Sequence, residues 1–210
     1  DDRVTFAYFV AMMMVRAPNF RRNVETATSE MIGRLNVFMA SHKENFERMI
    51  QRYEQATGNS IGMPVEELRK WALNPKENYV IKTSPQWSLA VALSELGHLA
   101  RVFFDMKWAF VRTSDDIKYL TSDNPLSYAW WLGLAHKDNE ISLPLSKDLC
   151  AFGTRKHREG YGEITKQMAK HLNRRTVIAT SRFVFASEQS DIIDGFVKKY
   201  RGSQPVMRVG

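Results

Sequence analysis

A chain of 210 residues with 44% hydrophobic and 25% charged residues can bury a real core, which excludes a disordered chain. The single cysteine, Cys150, excludes an internal disulfide and a thiolate metal cluster, and it fits a reducing, cytoplasmic setting. The formal charge of +7 is uneven: between Arg155 and Arg182 eight basic residues meet only Glu159 and Glu163, a local net of +6. Such a segment either attracts phosphates and other anions or forms a solvated helix face.

Apolar residues run almost unbroken from Val4 to Val15. They predict a helix apolar on most faces and therefore central to a core, with Met12, Met13 and Met14 filling irregular gaps. Pro18 disfavours helix at Ala17 and marks a turn. The run is too short to cross a bilayer, and acidic Asp1 and Asp2 ahead of it argue against a signal segment. Without an initiator Met, the chain is expected to be a processed or truncated product, or the ordered part of a longer one.

Asn19 or Asn23 can cap the next helix, which the spacing of Ile32, Leu35, Phe38, Met39, Phe46, Met49 and Ile50 carries to about Tyr53 or Ala56. Thr57-Gly58-Asn59-Ser60 ends it. Pro64 opens a short helix, Val65 to Leu73, that Asn74-Pro75 stops. Ser84-Pro85 opens another, apolar over more than half its circumference and running to Phe104. His98 lies within it and reads as a structural residue rather than a ligand.

From Lys107 the period changes. Trp108–Arg112, a turn at 113–116 and Ile117–Leu120 predict a β-hairpin. Ile141–Leu145 and Leu149–Phe152 predict two further strands joined at Ser146–Asp148, with Pro144 at an edge or bulge. The aromatic segment Tyr128–Leu134 reads as a loop or partly helical cover. After a basic loop, a helix from about Gly162 to Ser187 is expected to bend near Asn173. A last helix spans Asp191–Lys199, and the tail after Gly202 should fray. The expected fold is α+β in a single domain, 1–210. It has a mostly helical part (1–107), a small mainly antiparallel sheet (108–153), and C-terminal helices (154–202) packed back on that sheet.

The densest cluster of small polar side chains is Lys118-Tyr-Leu-Thr-Ser-Asp-Asn-Pro-Leu126. Asp123 and Asn124 ahead of Pro125 suit a tight turn, with the Asp carboxylate accepting from backbone N–H groups in 124–127. Alternatively Ser122, Asp123 and Asn124 are catalytic candidates facing a cleft, with Asp123 as a general base, a metal ligand or the partner of an arginine. Arg16 and Arg182 stand on apolar segments and need such a partner. Arg16, Arg174, Arg175 and Arg182 are the candidate anion-binding residues, with Asn173 a further polar residue on an apolar element. His42, His98, His136, His157 and His171 show no metal-ligand spacing, so no metal ligand is named among them; a magnesium site on Asp123 with a distant carboxylate stays open, and the cofactor is unknown. Neither a nucleophile elbow nor a phosphate-binding glycine loop is present.

Four segments in order resemble the bacterial family known as domain of unknown function 4238. They are Arg16-Ala-Pro18-Asn-Phe20-Arg21, Trp108-Ala-Phe-Val followed by Leu120-Thr-Ser-Asp-Asn-Pro125, Leu143-Pro-Leu-Ser146, and Asn173 with Ala179-x-x-Arg182 and Val184-Phe-Ala186. The likeness covers roughly residues 3 to 187. Members typically begin with a His-Tyr-Val-Pro-like segment, and nothing of that kind precedes Asp1. The resemblance implies a fold and no particular chemistry.

Two functions are expected from these features. One is a phosphate- or nucleic-acid-directed protein, extending to a metal-dependent phosphodiesterase or a defence-type effector. Tyr161 and Phe183 alone give such a protein little stacking surface. The other is a non-catalytic scaffold or regulatory module in which the Asp123 cluster is architectural and a protein is the partner. No membrane partner is expected.

Overall fold

The computed structural model describes residues 1–113, 117–156 and 158–202. Helix α1 (Asp2–Val15) begins where the Asp1 carboxylate accepts from the Arg3 N–H at 3.0 Å. One face of it is buried through Ala7, Val10, Ala11, Met14 and Val15, while Val4, Tyr8, Phe9 and Met12 are exposed. The helix thus lies against the core instead of being enclosed by it. Helix α2 (Pro18–Ser41) starts at the proline, whose fixed φ and missing N–H suit a first helical position. The continuous helix expected to about residue 56 is interrupted. His42 is extended at φ −106°, and α3 (Lys43–Thr57) follows. Gly58 closes α3 in the left-handed conformation (φ 69°), which favours glycine.

Helix α4 (Val65–Leu73) has the predicted bounds, and α5 (Pro75–Asn78) is a single turn. The helix expected from Ser84 to Phe104 is two helices, α6 (Pro85–Ser94) and α7 (Leu96–Phe104). His98 on α7 has a side chain 86% exposed, its ring 3.4 Å from the Glu95 carboxylate. It is a surface residue, not a core one.

The strands are β1 (Lys107–Arg112), β2 (Thr121–Ser122), β3 (Ser127–Tyr128), β4 (Ile141–Pro144), β5 (Leu149–Thr154), β6 (Gly160–Glu163) and β7 (Val184–Phe185). A 3-10 turn at Trp130–Leu132 follows β3. Helices α8 (Lys166–Ala179) and α9 (Asp191–Tyr200) complete the described chain. The fold is α+β, with a five-stranded sheet ordered β3-β4-β5-β1-β6 and a separate pair, β2-β7. The larger sheet is mainly antiparallel, but β6 runs parallel to β1.

The hairpin between 108–112 and 117–120 does not form: β1 is flanked by β5 and β6, and 117–120 is not in a ladder. Its backbone groups are taken elsewhere, the Tyr119 N–H by the Lys147 carbonyl (2.7 Å) and the Leu120 N–H by the Asn173 side chain (2.9 Å). The turn proposed at 113–116 falls largely on 114–116, outside the described residues, as does the tail beyond 202. The helix expected from Gly162 to Ser187 is instead a strand, a 14-residue helix and a second strand, with Asn173 inside α8. Gly160, Tyr161, Gly162 and Glu163 are all exposed, so no alternation of burial marks β6 in the sequence. Pro144 does sit where β4 is an edge, because β3 pairs only with Ile141 and Ser142.

Contacts divide the chain into two units, Asp1–Arg21 with Ala92–Gly210, and Arg22–Val91. In the second, Ala40, Phe46, Ile50 and Ala72 form the core, with Met39, Met49, Val65 and Leu68 around them. Arg69 there donates to the Ala40 carbonyl at 2.8 Å.

In the first unit the alternation along β1 and β5 supplies two cores on opposite faces of the sheet. Trp108, Phe110 and Ala151 join Ala7, Val10, Ala11, Ala100 and Phe103 from α1 and α7. Cys150, Phe152 and Val111 join Tyr119 with Ala169 and Leu172 of α8. The layers are therefore α1 and α7, the sheet, then α8. The Trp108 indole N–H donates to the Phe103 carbonyl at 2.9 Å, and Phe6 meets the ring edge-on at 5.1 Å. Gly153, paired with Trp108 across the ladder, has no room for a side chain, since a Cβ would lie 2.8 Å from the indole. No helix among the described residues is long and apolar enough to cross a membrane.

Candidate functional site

The polar cluster lies where 118–124 passes the C-terminal end of α8. Asn173, 6% exposed, accepts from the Leu120 N–H and donates to the Lys118 carbonyl, each at 2.9 Å. A primary amide carries one acceptor and two donors, so Asn173 occupies the place of a neighbouring strand for a segment that has none. Beyond it, Thr121 and Ser122 pair with Phe185 and Val184.

Ser122 is buried, and its hydroxyl accepts from the Asn124 N–H at 3.1 Å. The acceptor of the turn is thus Ser122 rather than Asp123. Asp123 reaches across instead. Its two carboxylate oxygens accept from the Ser181 and Arg182 backbone N–H groups at 3.0 and 2.9 Å, while its own N–H donates to the Phe183 carbonyl at 3.1 Å. The Arg182 side chain approaches the same carboxylate at 3.8 Å, but it is 69% exposed and adds little. Asn124 and Asn19 both donate to the Ala179 carbonyl, at 2.8 and 2.9 Å, satisfying an acceptor that α8 leaves open at its end. Asp123 and Asn124 therefore form a clamp on residues 179–183, with Ser122 bracing the Asn124 backbone and Asn173 holding the segment that leads into it.

The four arginines do not converge there. Arg16 is exposed at the end of α1 and forms no ion pair among the described residues. Arg175, its side chain 17% exposed, is directed into the protein. It pairs with the Glu140 carboxylate at 3.4 Å and donates to the Glu140 and Ser127 carbonyls, tying α8 to β3 and β4. Burial holds its pKa below the usual guanidinium value, with Glu140 opposing that effect. Arg174, one residue earlier, is exposed with its guanidinium 4.9 Å from the centre of the Tyr200 ring. Arg182 is exposed as well, 5.7 Å from the Phe183 ring.

The basic run is thereby sorted. Arg155 donates to the Ala135 and Asp105 carbonyls, and Lys156 pairs with Asp138, whose pKa is lowered chiefly by that hydrogen bond. Lys166, Lys170 and Arg174 stand at intervals of four along α8 and share one ridge. Across from it, α9 places Asp191 and Asp194 in its first turn and Lys198 and Lys199 in its last, as its dipole favours. Lys199 lies 5.3 Å from the Tyr200 ring, and Arg201 donates to the Arg182 carbonyl at 2.7 Å. Arg174 and Lys199 thus share the Tyr200 ring, and the next residue, Arg201, reaches Arg182, with Lys170 one turn before Arg174 on α8. A shallow, open depression lined by Thr165, Gln167, Met168 and His171 lies at the start of α8.

Sequence reasoning missed Asn139, which is fully buried and bonds both backbone groups of Ala129 and the Gly133 carbonyl. It also missed Glu140, Tyr200 and Arg201, because each acts through a partner distant in sequence. The alternation Phe183-Val184-Phe185 was the available signal for a two-ring surface. The rings are 56% and 52% exposed with centroids 6.4 Å apart. Cys150 is fully buried and its pKa is pushed up to about 12 by desolvation, so its thiol stays protonated. No group of three His, Cys, Asp or Glu among the described residues is placed to hold a metal ion.

A family model described as "Protein of unknown function (DUF4238)" matches residues 1–190. No curated protein and no solved structure matches the chain.

Proposed function

The chain belongs to the DUF4238 family, and on that footing we propose that it is a polyanion-binding protein whose α8–α9 face engages phosphate groups. The Thr-Ser-Asp-Asn-Pro cluster then serves as the frame of that face. The observation that carries this reading is the sorting of the basic run. Arg175 is turned inward, and Arg155 and Lys156 are engaged by carbonyls and by Asp138, whereas Arg174 and Lys199 adjoin one ring, Lys170 lies one turn before Arg174, and Arg201 meets Arg182. A local excess of like charge is unfavourable in the free protein and becomes favourable when an anion neutralises it.

The phosphodiesterase version draws less support. Both oxygens of Asp123 already accept from backbone N–H groups, and its side chain is only 12% exposed, which suits a fastening more than a general base. The test is retention on heparin and on nucleic acid as salt is raised. Binding should fall steeply between low and moderate salt, and the slope should shrink by roughly two counterions in the Lys170→Ala, Arg174→Ala double variant. Unchanged retention and slope in that variant would return the ridge to a solvated helix face.

A further inference from the structure

The same face carries rings as well as charges, and their order is informative. Arg174 lies over Tyr200 at 4.9 Å, and Lys199 lies 5.3 Å from the same ring. Next in the chain, Arg201 is fastened to the Arg182 carbonyl at 2.7 Å. Arg182 lies 5.7 Å from the Phe183 ring, and Phe183 and Phe185 are neighbours at 6.4 Å with their planes 31° apart. The result is a track running from α8 across the end of α9 to β7, on which cationic groups and aromatic rings follow one another.

Phe183, just ahead of β7, and Phe185 within it flank Val184, and their neighbouring rings lie on the same side of the chain. Each is more than half exposed, although leaving a large ring in water is unfavourable. They are held out by the clamp. Asp123 binds the Ser181 and Arg182 N–H groups on one side of Phe183, and β2 pairs with Val184 and Phe185 on the other. The backbone beneath the rings is fixed, which makes them a prepared surface rather than a frayed end.

We infer that this track binds an unpaired nucleic-acid strand, its phosphates on the cations and its bases on Phe183 and Phe185. This rests on the polyanion-binding reading above and narrows it to one class of polymer. A single strand offers base faces to rings and phosphates to cations along one contour, whereas a duplex keeps its base faces stacked inside. An anionic membrane would instead favour rings gathered at one tip with the charges around them. Here Arg174 and Lys199 flank one ring and Arg182 adjoins another.

The experiment is fluorescence anisotropy of the full chain with a labelled single strand of about 20 nucleotides, with competition by the matching duplex and by polyphosphate. The single strand should bind tightest. Phe183→Ala and Phe185→Ala should each weaken it by about tenfold or more and leave polyphosphate binding unchanged. Phe185→Leu keeps an apolar side chain on the strand while removing the flat face, so it guards against a loss caused by misfolding. The Lys170→Ala, Arg174→Ala variant should weaken both ligands. Tighter binding to the duplex, equal single-strand affinity in the phenylalanine variants, or ring-dependent binding to phosphatidylserine vesicles instead would each overturn the inference. If the protein is seen to bind no polyanion at all, the broader reading falls with it; if polyphosphate binds normally, only the strand-specific reading falls.

Discussion

Arg174 and Arg175 are adjacent, chemically identical and on the same helix, yet they belong to different parts of the protein. One turns outward to the Tyr200 ring, and the other turns inward to Glu140 and two backbone carbonyls. The 100° step between consecutive helical residues separates them. The inward side of α8, with Ala169, Leu172, Asn173, Thr176 and Val177, is built like a core, and the outward side is a charged ridge. A count of basic residues treats the two arginines as equal. Their surroundings make one a structural tie and the other available to a ligand.

The comparison breaks most readily at Arg175. Arg175→Ala leaves the Ser127 and Glu140 carbonyls and the Glu140 carboxylate without this donor, and should cost about 2–3 kcal/mol of stability. Arg174→Ala should stay within about 1 kcal/mol, since a half-solvated cation–ring contact contributes little. Chemical denaturation of the two variants side by side measures the contrast. Equal losses would mean that the inward and outward sides of α8 are not different in kind. Arg175→Lys should restore little of the stability, because an ammonium lacks the planar fork that spans these acceptors.

Asp123 sharpens the contrast from the other end of α8. Asp123→Asn retains one carbonyl oxygen and turns a donor toward a backbone N–H that had an acceptor, so a loss of about 1–2 kcal/mol is expected. Single-strand affinity should fall with it if the clamp presents the rings. Near-normal stability with a selective loss of some catalytic activity would show that the carboxylate is more than a fastening.

A separate effect appears only at alkaline pH and reports on the core beneath α8. Cys150 packs there with Ala169 and Leu172, and its folded pKa of about 12 stands above the ordinary 9.0. The folded state holds this proton more tightly than the unfolded state does. The associated stability is therefore complete below about 9 and declines as pH rises toward about 12. Tyr119, also raised by burial, acts in the same direction. Cys150→Ala should flatten the decline without removing it, and Arg174→Ala should leave it unaltered. Melting temperatures across that pH range provide the measurement.

Local chemistry was enough for many of the elements. Pro64 and Pro85 mark helix starts, Pro18 marks the turn after α1, Gly58 ends α3, and the apolar spacing of α4 and the short apolar run of β5 need no distant partner to be recognised. The α+β character and the family likeness were legible for the same reason. Strand partnership was not, because a ladder joins residues far apart and β1 has two eligible neighbours that outcompete the segment following it. The partners of the polar cluster were hidden similarly. Asp123 and Asn124 have the same composition whatever they face, and only the fold brings residues 179–183 to them. Composition set the excess of positive charge, but packing determined where it could be used. Burial directed Arg175 inward, and the meeting of α8 and α9 brought Arg174 to Tyr200, a ring its sequence neighbourhood does not contain, and Arg201 to the Arg182 carbonyl.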